Sequence, residues 1–217
     1  MTLLLLIRHG ENEYVKTGRM AGRLPGVHLN ERGQAQAREL AEALAQAPIK
    51  AIYSSPLERA LETATPLAEK LGMEINVRPG LLESNIGEWA GMELKDVRKL
   101  PEWKTVQGAP SRFRFPGGET FMEMQTRLVN EIEAIARAHK NDELVACVSH
   151  ADPIKLIVAY YLGMPLDHFQ RLACDTASVT MLALGGSGVA LLKLNQRPPF
   201  QFPVPEKKAK KKPSQRG

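Results

Sequence analysis

Two nearly continuous apolar runs, at residues 3–7 and 143–150, limit what this chain can fold into. Strands that are buried on both faces have this composition, and they occur mainly in parallel sheets that helices cover on both sides. Each run ends abruptly in ionisable side chains: Arg8 and His9 follow the first, and His150 ends the second. The sequence therefore predicts a buried parallel sheet with charged groups at its carboxyl edge.

The remaining patterns alternate between strand and helix. Further strands are predicted at 50–55 and 74–79, and amphipathic helices are predicted at 30–47, 56–72 and 117–140. This order predicts an α/β layered fold with a mainly parallel central sheet. Two more strand-like stretches flank a GGSG turn, and they predict a hairpin at one edge; they cover 178–184 and 188–194.

The domain organisation follows from composition. We expect one catalytic domain over residues 1–203, in which residues 84–118, rich in proline, glycine and tryptophan, form an insert over the site. Residues 204–217 are predicted to be a disordered basic tail. The last twelve residues contain five lysines, one arginine and one glutamate, which equals the whole net charge of +5. The body is formally neutral, so we expect no specific nucleic-acid partner and only weak polyanion contact through the tail.

Cysteine usage and the N-terminal residues favour a cytoplasmic protein. Cys147 and Cys174 are too few for a disulfide framework. No basic segment precedes the first apolar run, and Arg8 ends that run early, so neither a signal peptide nor a membrane span is expected.

Ionisable side chains follow four successive predicted strands. Arg8 and His9 follow the first strand, Arg59 the second and Glu83 the third, and His150 ends the fourth. Ligands of open α/β sheets bind in the crevice beyond the carboxyl ends of the strands. Arginines and histidines gathered there require an anion, and phosphate suits the planar guanidinium best. A carboxyl group beside a phosphate dianion has its pKa raised, so Glu83 is a candidate proton donor to a leaving alkoxide.

Five motifs in register carry a family resemblance: IRHGENE, YSSPLERALETA, LLESNIGEWAG, FPGGETF and VSHADPIK. In this order and spacing they resemble the histidine phosphatase superfamily, in its phosphoglycerate mutase-like branch, over roughly residues 3–195. The resemblance implies a three-layer sandwich. It also implies that His9 is the nucleophile of a phosphohistidine intermediate and that Arg8, Arg59 and His150 hold the phosphoryl oxygens. Glu83 then serves as acid and later as base, and no metal or cofactor is required.

Further substrate contacts are predicted less directly. Gly10 is expected to allow a tight turn that lets His9 face the crevice. Where relatives carry an asparagine four positions after the glutamate of the first motif, this chain has Val15, and where they carry a glycine after the second histidine it has Ala151. A valine cannot bond phosphate, so another residue has to supply that bond or the bond is absent. The predicted contacts beyond the catalytic residues are Asn12, Ala21, Gly22, Arg23 and Ala151, the last through its N–H.

Three functions remain open at this point. The insert is short for a mutase, which must retain a bisphosphorylated intermediate, so a phosphomonoester phosphatase acting on a small phosphorylated metabolite is favoured. A phosphoglycerate mutase-type phosphomutase and a non-catalytic protein that binds phosphate esters are the alternatives. Taken singly, each ionisable residue also has a structural interpretation, and only their shared position favours chemistry. The sequence predicts neither the identity of the ester nor the oligomeric state.

Overall fold

The computed structural model describes residues 1–185 and 188–200, which form one six-stranded sheet between two layers of helices. The strand order across the sheet is β3-β2-β4-β1-β5-β6. The strands are β1 (Thr2–Arg8), β2 (Ile49–Ser54), β3 (Ile75–Val77), β4 (Leu144–Ser149), β5 (Val179–Gly185) and β6 (Gly188–Gln196).

The sheet is parallel except at one edge. The strands β3, β2, β4 and β1 pair in parallel, and β5 and β6 add an antiparallel hairpin beside β1. The predicted α/β fold and the predicted edge hairpin are therefore confirmed. Since β1 and β4 lie side by side, the residues that follow them emerge next to each other.

Seven α-helices connect and cover these strands in the described residues. They are α1 (Glu13–Thr17), α2 (Glu31–Leu44), α3 (Glu58–Leu71), α4 (Leu94–Val97), α5 (Trp103–Gly108), α6 (Phe121–Arg137) and α7 (Ala151–Tyr161). Short 3₁₀ turns occur at Pro79–Leu81, Gly87–Trp89, Pro110–Arg112 and Leu166–Arg171.

Successive side chains of β1 point to opposite faces of the sheet, so the hydrophobic core is divided between the two helical layers. Leu4 and Leu6 point into one cluster, which contains the buried residues of α6 and α7. Leu5 and Ile7 point into the other, which contains those of α2 and α3. All four side chains are at most 1% exposed, as the continuous apolar run predicted.

The predicted helices begin and end at the expected capping residues. Asn30 accepts a hydrogen bond from Gly33 N–H and starts α2, and Gly72 ends α3 in the left-handed conformation. Thr120 and Glu123 form a capping box at the start of α6. Helix α7 has no clear signal in the sequence, because its buried residues cover most of its circumference and leave little amphipathic pattern.

The insert at 84–118 packs into the main core instead of forming a small core of its own. Trp89 is 4% exposed and its ring centroid lies 5.2 Å from that of Phe113 and 5.4 Å from that of Phe115. Phe115 in turn contacts Phe121 of α6 at 5.3 Å. The insert is therefore a continuous part of the layer that contains α6 and α7.

Two further predictions concern membrane spans and the C-terminal tail. No helix in the described ranges is long and apolar enough to cross a membrane. The predicted basic tail, 204–217, lies outside the described residues, so its disorder stays a prediction.

Candidate active site

Four of the five predicted catalytic residues, Arg8, His9, Arg59 and Glu83, line one cavity of about 180 Å³ at the carboxyl ends of the parallel strands. The fifth, His150, is fully buried and lies beside His9 without lining the cavity. Arg8 is the last residue of β1, and Arg59 lies in the first turn of α3, which follows β2. His150 is the N-cap of α7, directly after β4. Glu83 follows the 3₁₀ turn after β3. His9 and His150 lie with their ring centroids 5.2 Å apart. The topology of the strand ends thus brings together side chains that are far apart in the chain; Arg8 and His150 are 142 positions apart.

His9 is buried and held in one orientation by a backbone carbonyl. Its side chain lines the cavity, although the residue is only 3% exposed. Nδ1 lies 2.7 Å from Gly10 O. A carbonyl oxygen only accepts, so Nδ1 carries the proton and Nε2 of the neutral ring keeps its lone pair. The ring is therefore oriented as a nucleophile that reacts through Nε2.

Gly10 is required here for close packing and not for a tight turn. Its φ is not positive, and a Cβ on it would lie 2.7 Å from Gly33 O. A Cβ on Gly33 would lie 2.0 Å from Glu11 O. Two glycines thus let the first turn of α2 press against the segment that follows His9. The tight turn expected at Gly10 is replaced by this packing.

The two arginines are each anchored by one bond and keep other donors for a ligand. Arg8 Nη1 donates to Cys174 O at 2.7 Å, and Arg59 Nη2 donates to Gly22 O at 2.8 Å. Arg8 Nε and Arg59 Nη1 are buried without a hydrogen-bond partner among the described residues. Arg59 is buried and Arg8 is half-buried, and guanidinium groups in such positions with unused donors fit an anion.

His150 is fully buried and is oriented by a serine. Its Nε2 lies 2.8 Å from Ser55 Oγ, whereas Nδ1 has no hydrogen-bond partner in the described part of the chain. Ser55 Oγ also accepts a bond from Leu57 N–H at 3.4 Å. In the tautomer in which Ser55 Oγ–H donates to His150 Nε2, Nδ1 carries the ring proton and can donate it to a phosphoryl oxygen.

Burial and the arginines keep both histidines neutral. Burial lowers the pKa of His9 well below its usual 6.5, and the charges of Arg59 and Arg8 lower it further. The pKa of His150 is also lowered well below 6.5, first by burial and then by Arg59, His9 and Arg8. A neutral imidazole is the nucleophilic form, so this electrostatic environment favours phosphoryl transfer to His9.

The pKa of Glu83 is shifted in the opposite direction, upward. Burial raises its pKa and the negative charge of Asp152 raises it further, while Arg59 opposes them. Its Oε1 accepts bonds from Ser84 N and Ser84 Oγ, and Oε2 lies 3.9 Å from His150 Nδ1. A carboxyl group with a raised pKa beside the nucleophile is suited to donate a proton to a leaving oxygen.

The backbone of the Glu83 segment is held by a charged cluster. Arg23 Nε donates to Glu83 O at 2.8 Å, and Arg23 Nη2 donates to Glu119 Oε1 at 2.9 Å. Glu119 Oε1 also accepts from Arg127 Nη2 at 3.1 Å and from Asn85 N at 2.8 Å. Arg23 is therefore outside the cavity lining and positions Glu83, which differs from the substrate contact that the sequence predicted for it.

The other predicted contacts divide between the cavity and its surroundings. Asn12 is 1% exposed and lines the cavity; Oδ1 caps Val15 N–H at 2.9 Å, and Nδ2 has no partner among the described residues. Ala21 and Gly22 also line the cavity. Ala151 is the first residue of α7 and does not line it. Asn12 Nδ2 is thus a donor that can replace the amide missing at Val15.

Several residues near the cavity were not singled out from the sequence. Ser55 and Asp152 lie within two of the quoted motifs, YSSPLERALETA and VSHADPIK, but their types alone gave no reason to select them. Arg19 and Tyr14 line the cavity from α1 and the residues after it. The one available signal was their proximity in sequence to His9 and His150.

Comparison with known proteins agrees with this geometry. Residues 4–197 match the model of the histidine phosphatase superfamily (branch 1). The chain belongs to this family. The match spans most of the described residues and includes the stretches that hold all five motifs.

Among its relatives, this histidine phosphatase is 34% identical over 197 residues to phosphoserine phosphatase 1 of Hydrogenobacter thermophilus, covering 90% of this chain and 92% of that protein. Two solved structures have similar folds. The mycobacterial glucosyl-3-phosphoglycerate phosphatase Rv2419c in complex with VO3 has a TM-score of 0.81 at 28% identity and covers 89% of this chain and 98% of its own. Phosphoserine phosphatase of Entamoeba histolytica with 3-phosphoglyceric acid has a TM-score of 0.81 at 25% identity, covering 91% and 98%.

Proposed function

We propose that this protein is a phosphatase that hydrolyses phosphate monoesters of small metabolites through a phosphohistidine intermediate on His9. One observation carries the proposal. The Nδ1 proton of His9 is bound by Gly10 O at 2.7 Å, so Nε2 presents its lone pair to a cavity that Arg8 and Arg59 also line. The names of the relatives, which are phosphatases acting on small phosphorylated molecules, support the same activity.

In the first step, His9 Nε2 attacks phosphorus and the bond between phosphorus and the ester oxygen breaks. Glu83, protonated because burial and Asp152 raise its pKa, gives its proton to the departing alkoxide. The alcohol leaves, and the phosphoryl group is bonded to His9 Nε2. The Nδ1–H bond to Gly10 O stabilises the positive charge that develops on the ring.

In the second step, water replaces the alcohol. Glu83 is now a carboxylate and accepts a proton from water, whose oxygen attacks phosphorus while the bond to Nε2 breaks. Inorganic phosphate leaves, His9 is again neutral and Glu83 is again protonated. The cycle balances protons without a further co-reactant.

Arg8, Arg59 and His150 stabilise the transferring group. Their unused donors, together with Asn12 Nδ2, are the groups that can bond the phosphoryl oxygens. Because they are buried and fixed by other bonds before substrate arrives, they reorganise little, and losing one such donor typically costs about 3 to 4 kcal/mol of barrier.

The proposal also includes a cytoplasmic location and a small-molecule substrate. Both cysteines are free and buried, as is usual in a reducing cytoplasm. A cavity of about 180 Å³ is below the usual range of drug-sized sites, which favours a small metabolite as the substrate. Polyanion contact through the basic tail stays a prediction.

The proposal is tested by hydrolysis of p-nitrophenyl phosphate in the presence of a chelator. The wild type should release nitrophenol and phosphate in equal amounts, and His9→Asn should lose activity by several orders of magnitude. His28→Asn is the matched control, because His28 is exposed and pairs with Glu62 away from the cavity. Full activity of His9→Asn, or an absolute need for added metal, would contradict the proposal. Isomerised phosphoglycerate appearing faster than phosphate would instead indicate a mutase.

A further inference from the structure

We propose that Arg19 and Asp152 select a zwitterionic substrate, a phosphorylated amino acid with a free carboxylate and a free ammonium group. The inference rests on the proposed phosphatase function and adds the substrate class to it. Both residues line the same cavity as His9, yet neither is needed to bond the phosphoryl group. Asp152 influences the transfer only through its charge near Glu83, which acts on every ester alike. They come from different elements and have opposite charges.

Arg19 lines the cavity and is held in place by two neighbours. Its guanidinium carbon lies 4.7 Å from the centroid of the Tyr14 ring, a cation–π arrangement. Nε and Nη2 both donate to Gly91 O, at 3.3 and 3.0 Å. Nη1 takes part in neither bond. A guanidinium held by a ring face and a carbonyl, with a donor left over, is preorganised to bind a second anionic group of the ligand.

Asp152 lies in the first turn of α7, two residues after His150. Its nearest cation is Lys155, with 3.7 Å between Oδ1 and Nζ, which is an ion pair too long to be a hydrogen bond. The side chain is 38% exposed and retains oxygens that can accept from a ligand. An ester with only anionic groups would be repelled by this carboxylate, whereas an ammonium group would be attracted.

The cavity lining thus carries charges of both signs. Besides Arg8 and Arg59, which are assigned to the phosphoryl group, it contains the carboxylate of Asp152 and the guanidinium of Arg19. The limited volume, about 180 Å³, requires these groups to meet the same small molecule. A three-carbon ester with phosphate, ammonium and carboxylate groups satisfies all of them.

Three substrates allow the ammonium contact and the carboxylate contact to be measured separately. O-phosphoserine and 3-phosphoglycerate differ only in the ammonium or hydroxyl group on the second carbon, and phosphoethanolamine keeps the ammonium group but lacks the carboxylate. We expect the wild type to have its highest kcat/KM on phosphoserine. The ratio of kcat/KM for phosphoserine to that for 3-phosphoglycerate then reports the ammonium contact, and the ratio for phosphoserine to that for phosphoethanolamine reports the carboxylate contact.

Two variants and two controls complete the design. Asp152→Asn should lower the phosphoserine to 3-phosphoglycerate ratio about tenfold or more, and Arg19→Gln should lower the phosphoserine to phosphoethanolamine ratio by a similar factor. The matched controls, Asp96→Asn and Arg38→Gln, change a half-exposed and an exposed residue outside the cavity and should leave both ratios unchanged. Ratios within one variant cancel any loss of folded or active protein.

The outcomes are distinguishable. A wild type that prefers 3-phosphoglycerate to phosphoserine, or ratios that Asp152→Asn and Arg19→Gln leave unchanged, would overturn the proposed selection while the phosphatase activity stands. A change in only one ratio would also overturn it, because the pairing of both charges is the claim. Hydrolysis of p-nitrophenyl phosphate but of none of the three esters would overturn the selection and leave the phosphatase function standing. Failure to hydrolyse all four esters would contradict the proposed function itself.

Discussion

At the scale of single residues, one backbone carbonyl and two arginines determine the reactivity of His9. Gly10 O fixes the proton on Nδ1, and burial together with Arg59 and Arg8 keeps the ring neutral. An exposed histidine would be partly protonated near neutral pH, and the lone pair would be unavailable. We therefore expect His9 to stay neutral, and available as the proposed nucleophile, across the physiological pH range.

The pH dependence of kcat/KM follows from the two opposite pKa shifts. His9 must be neutral, so activity is lost only as the pH falls through its lowered pKa, below 6.5. Glu83 must be protonated for the first step, so activity on an alkyl phosphate is lost as the pH rises through its raised pKa, above 4.5. We expect an optimum on the acidic side of neutrality. In Glu83→Gln the alkaline decline should disappear, and a decline that persists unchanged would assign it to another group.

The leaving group provides a second test of Glu83. A departing alkoxide needs a proton, whereas nitrophenolate leaves without one, so Glu83→Gln should reduce turnover of phosphoserine by about 10²- to 10⁴-fold and turnover of p-nitrophenyl phosphate much less. Single-turnover kinetics, which isolate the first step, are the measurement. Glu88→Gln is the control, since Glu88 lies in the neighbouring insert and does not line the cavity. Equal losses on both esters would exclude the proton-donor role.

At the scale of elements, the contact between α2 and the segment after β1 fixes where His9 points. We expect Gly33→Ala to destabilise the fold by about 1 to 3 kcal/mol and to lower kcat, because its Cβ would lie 2.0 Å from Glu11 O. Gly108→Ala is the matched control, since nothing lies within 4 Å of a Cβ there and its φ is not positive. Chemical denaturation measures the free energy of unfolding, and steady-state kinetics measure kcat. A Gly33→Ala variant with unchanged stability and unchanged kcat would contradict the account.

Local signals made several elements predictable from the sequence. Asn30 and Gly72 mark helix ends through hydrogen bonds and φ values that depend only on neighbouring residues. The role of Gly33 was not predictable in this way, because its constraint comes from Glu11, which is distant in the chain and close only in the fold. The same holds for Arg23, whose partner Glu119 lies 96 positions away.

At the scale of the whole molecule, the insert at 84–118 and the main core form one packed layer. Both tryptophans of the chain, Trp89 and Trp103, lie in the insert. Tryptophan fluorescence therefore reports the insert, while far-UV circular dichroism reports all helices and strands. We expect the two probes to give coincident urea transitions, because Trp89 is linked through Phe115 to Phe121 of α6. A fluorescence transition at lower urea would mean that the insert unfolds on its own.

The topology explains why the grouping of Arg8, His9 and His150 was predictable from the sequence and the position of Arg19 was not. Buried strands could be read from apolar runs, and parallel strands bring their carboxyl ends to one edge, which placed Arg8, His9 and His150 together. Arg19 reaches the cavity from an irregular segment, and its position depends on Tyr14 and on a carbonyl of the insert. No periodic pattern encodes such a position.

The central claim is that His9 accepts the phosphoryl group, and trapping that intermediate tests it most directly. Rapid mixing with phosphoserine, quenching in alkali where phosphohistidine survives, and peptide mass spectrometry should locate one phosphoryl group on His9 in the wild type, and none in His9→Asn. Label on another residue, or a His9→Asn variant that turns over phosphoserine at the wild-type rate, would contradict the account.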